Sequence, residues 1–218
     1  TSGAYGDTAD AGAGGSITIH AGQLTLSGTS RDGQATTINA ESTGPGRAGD
    51  ISINVSGTLR VSGGAEIATR ASLADGGNIS LSVGELLKLS QSSITTTVGG
   101  GLGNGGNITI GQPAFVVLNQ GLIQANAYGG NGGNIRIVTD RLVASTNSRI
   151  EASSELGIDG SVEISSPNVD VGSGLMVLPS NYLDTTLLLR DACSGRMGAT
   201  SSFTGAGRGG LPQAPGGL

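Results

Sequence analysis

Apolar and polar residues alternate along this chain in short runs, with no stretch of the array repeating every three or four positions, and period-two alternation is the signature of strands. The runs themselves recur. Ile17, Ile51, Ile79, Ile108, Ile135 and Val162 each open an apolar–polar–apolar segment, closed two residues later by Ile19, Ile53, Leu81, Ile110, Ile137 and Ile164. Successive openings lie 34, 28, 29, 27 and 27 residues apart. Two further columns follow in each repeat. One runs Leu24, Leu59, Leu87, Val116 and Leu142 and continues to Val169; the other runs Ile38, Ile67, Ile94, Ile123 and Ile150. Between the partners of the first column stand Thr18, Ser52, Ser80, Thr109, Arg136 and Glu163. Their polar side chains face outward when the isoleucines face inward.

Three strands in a repeat of about 28 residues predict an all-β fold, a parallel β-helix of about six coils. One coil cannot bury its own apolar face, but stacked coils bury it on their neighbours and pair backbone groups upward and downward. At about 4.8 Å per rung, six coils make a rod on the order of 29 Å long.

Composition adds to this picture. The chain of 218 residues fits one domain, and 41 glycines with only 12% charged residues would point to disorder if the period were absent. No Trp, two Phe and three Tyr suit a narrow prism filled by aliphatic ladders. A net charge of −5 with dispersed Arg and Lys argues against nucleic acid or an anionic membrane surface as partner. Cys193 is the only cysteine, so no internal disulfide forms, and the sequence offers no zinc cluster. No cofactor is expected. No stretch approaches the roughly 20 apolar residues of a membrane-spanning helix.

The array is expected over residues 1–178. Residues 4–19, AYGDTADAGAGGSITI, read like the turn AYGGNGGNIRI at 127–137, so the chain is expected to open in mid-array with further coils upstream. After Pro179 the pattern changes. Leu183, Leu187 and Leu188 fall at helical intervals behind Ser180 or Asn181 as N-cap, which predicts a capping segment over 179–218. A short strand near Phe203 and a Gly/Pro tail complete it.

The GGNI-type turn and strand repeats, GSVEISSPNVDVGSGLMVLP at 160–179, Asp191-Ala192-Cys193 and the ending SSFTGAGRGGLPQAP together resemble the C-terminal region of filamentous haemagglutinin-like exoproteins of two-partner secretion systems. The resemblance covers nearly the whole chain. It implies a right-handed β-helix, export through an outer-membrane partner transporter, and a secreted or cell-surface location. The secretion-recognition domain of that family is not in this sequence.

Candidate chemistry is sparse. Asp50, Asn78, Asn107 and Asn134 precede the first column in consecutive coils, with Ser16 and Ser161 at the ends, and stacked coils would join them as an amide ladder. GGNGGNIRI at 129–137 is superficially like a calcium-binding nonapeptide but lacks its aspartate and its nine-residue period, so no metal is expected there. Enzymes acting on acidic polysaccharides use paired carboxylates. The acids here are Glu66 beside Arg70, Glu151 in the outward row Asn39, Ala68, Thr95, Gln124 and Glu151, and Asp140 beside Arg141 at a turn; no two stack. Glu163 beside Arg136 reads as a solvated ion pair. His20, the single histidine, reads as a surface residue. Glycine-rich turns such as GGGLGNGGN at 99–107 lead into strands, not helices, so they are turn chemistry and are expected to hold positive φ.

These features predict a non-enzymatic structural or adhesive rod, with Thr95, Thr96, Thr97, Gln124 and Asn126 as a polar surface for glycans or another rod. Self-association end to end into filaments is a further expectation. The alternative is a β-helix that binds or degrades polysaccharide.

Overall fold

The computed structural model describes residues 2–4, 12–29 and 33–166, and every regular element among them is a strand. In chain order these are β1 (Ser2–Ala4), β2 (Ile17–Ala21), β3 (Leu24–Ser27), β4 (Thr37–Ser42), β5 (Ile51–Val55), β6 (Thr58–Ser62), β7 (Glu66–Ala71), β8 (Ile79–Val83) and β9 (Leu86–Ser90). Then follow β10 (Ser93–Val98), β11 (Ile108–Gly111), β12 (Phe115–Asn119), β13 (Leu122–Asn126), β14 (Ile135–Val138), β15 (Arg141–Ala144), β16 (Arg149–Glu151) and β17 (Val162–Ser165).

The strands sort by threes. The first sheet runs β2-β5-β8-β11-β14-β17, the second β3-β6-β9-β12-β15, and the third β1-β4-β7-β10-β13-β16. Neighbours in each sheet pair in parallel, and the register matches the three predicted columns. Ile108 faces Ile79 and Ile135, Leu87 faces Leu59 and Val116, and Ile94 faces Ile67 and Ile123. The described residues therefore form a parallel β-helix.

It has about five turns, where six coils were expected. Six stacked first-sheet strands enclose five intervals, and Val169 lies outside the described residues, as does the predicted cap over 179–218. The pattern did not predict β1, because Ser2-Gly3-Ala4 carries no apolar alternation; it pairs with Ala40-Glu41-Ser42 of β4.

The prism interior is an aliphatic stack. Ile67, Ile79, Leu87, Ile94, Ile108, Ile110 and Ile123 are fully buried. Burial fades in the outermost described coils, where Ile17 is half-buried and Val162 is 42% exposed. Thr69, Thr96 and Thr139 are buried and stay satisfied, Thr139 by donating to the carbonyl of Pro113. Thr69 donates its hydroxyl to the carbonyl of Gly77, and Thr96 donates to that of Gly106, both at 2.7 Å.

Those inward carbonyls explain the Gly-Gly-Asn-Ile motif. A Cβ on Gly77, Gly106, Gly133 or Gly160 would overlap the carbonyl oxygen of the equivalent glycine one coil earlier. The corner is tight, but Gly105 and Gly106 do not have positive φ. At the stacked glycine pairs the need is space, and of the positive φ expected in the 99–107 turn Gly101 alone shows it (φ 65°). Left-handed geometry that recurs from coil to coil sits at the turn between the second and third sheets. There the stacked positions are Gly28 (φ 81°), Gly63 (φ 63°), Gln91 (φ 51°) and Gln120 (φ 53°). A glutamine held there costs about 1–2 kcal/mol, and the bond from Gln91 Nε2 to Gln120 Oε1 at 3.0 Å offsets part of it.

Candidate functional site

Two surfaces gather the polar side chains, and the first is the corner before the first sheet. Asn78 donates its backbone N–H to Asp50 Oδ1 at 2.8 Å, Asn107 to Asn78 Oδ1 at 2.9 Å, and Asn134 to Asn107 Oδ1 at 2.8 Å. Ser161 closes the series, donating both N–H and hydroxyl to Asn134 Oδ1. The predicted ladder is present from Asp50 to Ser161, without Ser16. Its chemistry follows position: the head, Asp50, has only to accept, which a carboxylate does; Asn78 and Asn107 accept from one side and donate Nδ2 to the other at 3.2 Å. The tail only donates.

A second ladder three residues upstream was missed. Asn104 donates its N–H to Asp75 Oδ1 at 2.8 Å, Asn131 to Asn104 Oδ1 at 3.0 Å, and Ile158 to Asn131 Oδ1 at 3.3 Å. Again a carboxylate heads it. The sequence signal was available as Asp-Gly-Gly-Asn, Asn-Gly-Gly-Asn, Asn-Gly-Gly-Asn, but the first residue of each lies outside any apolar frame. Asn107→Ala removes the acceptor for Asn134 and is expected to cost about 0.5–1.5 kcal/mol, because water can reach the freed N–H at this exposed corner. Urea denaturation measures it; a loss above that range would mean the ladder bears more than one exposed hydrogen bond.

The second surface is the outer face of the third sheet. Its rows bring Glu41, Arg70, Thr97 and Asn126 into line along the axis, beside Asn39, Ala68, Thr95, Gln124 and Glu151. Two shallow depressions of about 260 and 370 Å³ share Thr97 and Gly99 and so form one axis-parallel groove. Glu41 and Arg70 line one end, Asn126, Tyr128 and Glu155 the other.

Of the predicted contact residues, Thr95 is only 6% exposed and donates to Glu66 Oε1 at 3.0 Å, and Glu66 also pairs with Arg70. Gln124 donates to Glu151 Oε1 at 2.6 Å. Asn126 Oδ1 accepts from the Ser153 N–H at 3.2 Å. Thr97 is half-buried and lines both depressions. Thr96 does not belong to this face: it follows the inward alternation of Ile94 and is fully buried.

The acids weighed for catalysis stay apart. Glu66 and Glu151 share the third sheet but sit on β7 and β16, with β10 and β13 between them. Asp140 lies in the turn before β15, and Glu163 approaches Arg136 at 3.9 Å with both side chains about 60% exposed. His20 is exposed on β2. Among the described residues no three of His, Cys, Asp or Glu gather within metal-binding reach.

Fold and surface together define a β-solenoid built on stacked amide ladders and an axial groove. No family model, curated protein or solved structure matches the chain.

Proposed function

We propose that this chain is a structural and adhesive rod of a filamentous haemagglutinin-like exoprotein, secreted or held at the cell surface after export through an outer-membrane partner transporter. The observation that carries the reading is coil-to-coil continuity. Three sheets bond each described coil to the next, and from Asp50 onward the ladders add hydrogen bonds that repeat every 27 to 29 residues, so stiffness along the axis comes from coil-to-coil bonding. A surface built this way works by length and contact. The contact site is the third-sheet groove, where Thr97, the Nδ2 of Asn126 and the ring of Tyr128, 41% exposed, offer donors and an apolar face to a neutral glycan.

End-to-end association belongs to the same reading. A coil stacked on an outermost described coil would pair strand edges that have no neighbour among the described residues and cover apolar side chains such as Ile164, 42% exposed. Such a contact is heterologous and does not close, so it grows filaments. Electron microscopy of the full chain over a range of concentrations tests it: fibres that lengthen with concentration are expected. Discrete short rods at every concentration would remove the filament and leave the rod and its groove.

A further inference from the structure

Three cations that are dispersed in sequence, Arg60, Lys88 and Arg141, share one face. On the outside of the second sheet, Arg60 stands beside Lys88 and Phe115 beside Arg141 in adjacent strands. Leu86 pairs with Phe115, Lys88 with Val117, and Val117 with Val143. Four apolar side chains therefore form a contiguous patch with three cations at its border. Phe115 is 47% and Val143 57% exposed, Leu86 and Val117 are half-buried, and Arg60 and Arg141 are exposed.

Among the described residues no strand of this sheet contains an acid. Glu85 and Asp140 lie in the turns just before β9 and β15, and among the described residues neither is within ion-pair distance of the three cations. The other faces differ. The first sheet shows hydroxyls at Thr18, Ser52, Ser80 and Thr109 and a paired Arg136, and the third sheet sets Glu41, Glu66 and Glu151 against Arg70 and Arg149.

We infer that the second-sheet face is a docking surface for an anionic lipid bilayer, with Leu86, Phe115, Val117 and Val143 entering the acyl boundary and Arg60, Lys88 and Arg141 holding the headgroup phosphates. Charge complementarity fixes the sign of the partner. The aliphatic centre favours lipid over acidic saccharide, because valine and leucine have no hydrogen bond to give a sugar, whereas the bilayer interface accepts apolar side chains and leaves cationic heads at the phosphates. The β-sheet fixes the attachment points of all seven side chains on a lattice with rungs about 4.8 Å apart, so little backbone freedom is lost on docking. This surface is separate from the third-sheet groove and does not depend on it.

Vesicle co-sedimentation with the full chain tests the inference. Vesicles of phosphatidylglycerol in phosphatidylcholine are expected to bind, and phosphatidylcholine alone to bind on the order of a hundredfold more weakly, about fivefold for each cation. The Arg60→Gln/Lys88→Gln/Arg141→Gln variant is expected to lose that preference, Phe115→Ser to weaken binding several-fold, and added salt to weaken it further. Arg136→Gln, on the first sheet, is expected to change nothing, and circular dichroism verifies that each variant keeps its strands. Absence of binding to the anionic vesicles, or equal loss in Arg136→Gln, overturns the inference. So does binding of soluble polygalacturonate through the same three cations with no vesicle binding, which would give the face to an acidic saccharide.

Discussion

Ile108→Ala is expected to lower stability by about 2–5 kcal/mol, the cost of emptying a fully buried isoleucine site. Ile108 packs in the middle of the first column, and the backbone pairing of β11 with both β8 and β14 holds its neighbours in place. They cannot close over the void. The one-dimensional layout sharpens the expectation, since each coil touches only the coils on either side and a central lesion weakens two interfaces. Ile17→Ala, at a half-buried outer position, is expected to cost clearly less. Urea denaturation of both variants measures the difference. Equal losses would mean that stability is not summed coil by coil.

Gly106→Ala is the second large effect, expected in the upper part of about 1–3 kcal/mol for overpacking. The new methyl would overlap the Gly77 carbonyl oxygen, which is backbone and cannot rotate away. Moving it strains the bond that Gly77 accepts from Thr69, and moving Gly106 strains the one it accepts from Thr96. Gly99→Ala is the control. A Cβ there meets nothing closer than the Ala71 carbonyl oxygen at 3.9 Å, so the change is expected to stay within about 0.5 kcal/mol. Similar melting temperatures for the two variants would show that the corner tolerates a side chain and that its glycines serve some other need.

The core was legible because period two and the repeat report the same fact twice: a residue such as Ile94 is apolar in its own strand and sits where Ile67 and Ile123 sit in theirs. Spacing therefore yielded register as well as strand position. The Asp50 to Asn134 ladder was legible for the same reason, being locked one residue ahead of the first column. The Asp75 ladder keeps an equally constant offset, four residues ahead of the first column, but two glycines and the first ladder separate it from the nearest apolar position. Surface properties were least legible. Arg60, Lys88 and Arg141 look scattered until the register lays them on one sheet, and Thr95 looks available until Glu66 is seen to accept its hydroxyl. Counting charges along the chain averages over faces that the fold keeps apart. The glycine corner was found by its repetition, but positive φ accounts for Gly101 and not for the stacked pairs, since sequence shows that a side chain is missing and not which neighbour forbids it.

Each corner unit of close-packed glycine, ladder residue and core isoleucine is also a joint at which one coil is interchangeable with another. A genetic crossover joining Asn78 directly to Ile108 would rebuild the same corner, with Ile108 stacked on Ile51 in place of Ile79 and the ladder still headed by an acceptor. Reach can then be inherited separately from fold: unequal recombination alone lengthens or shortens the rod, and no compensating change in the core has to arise with it.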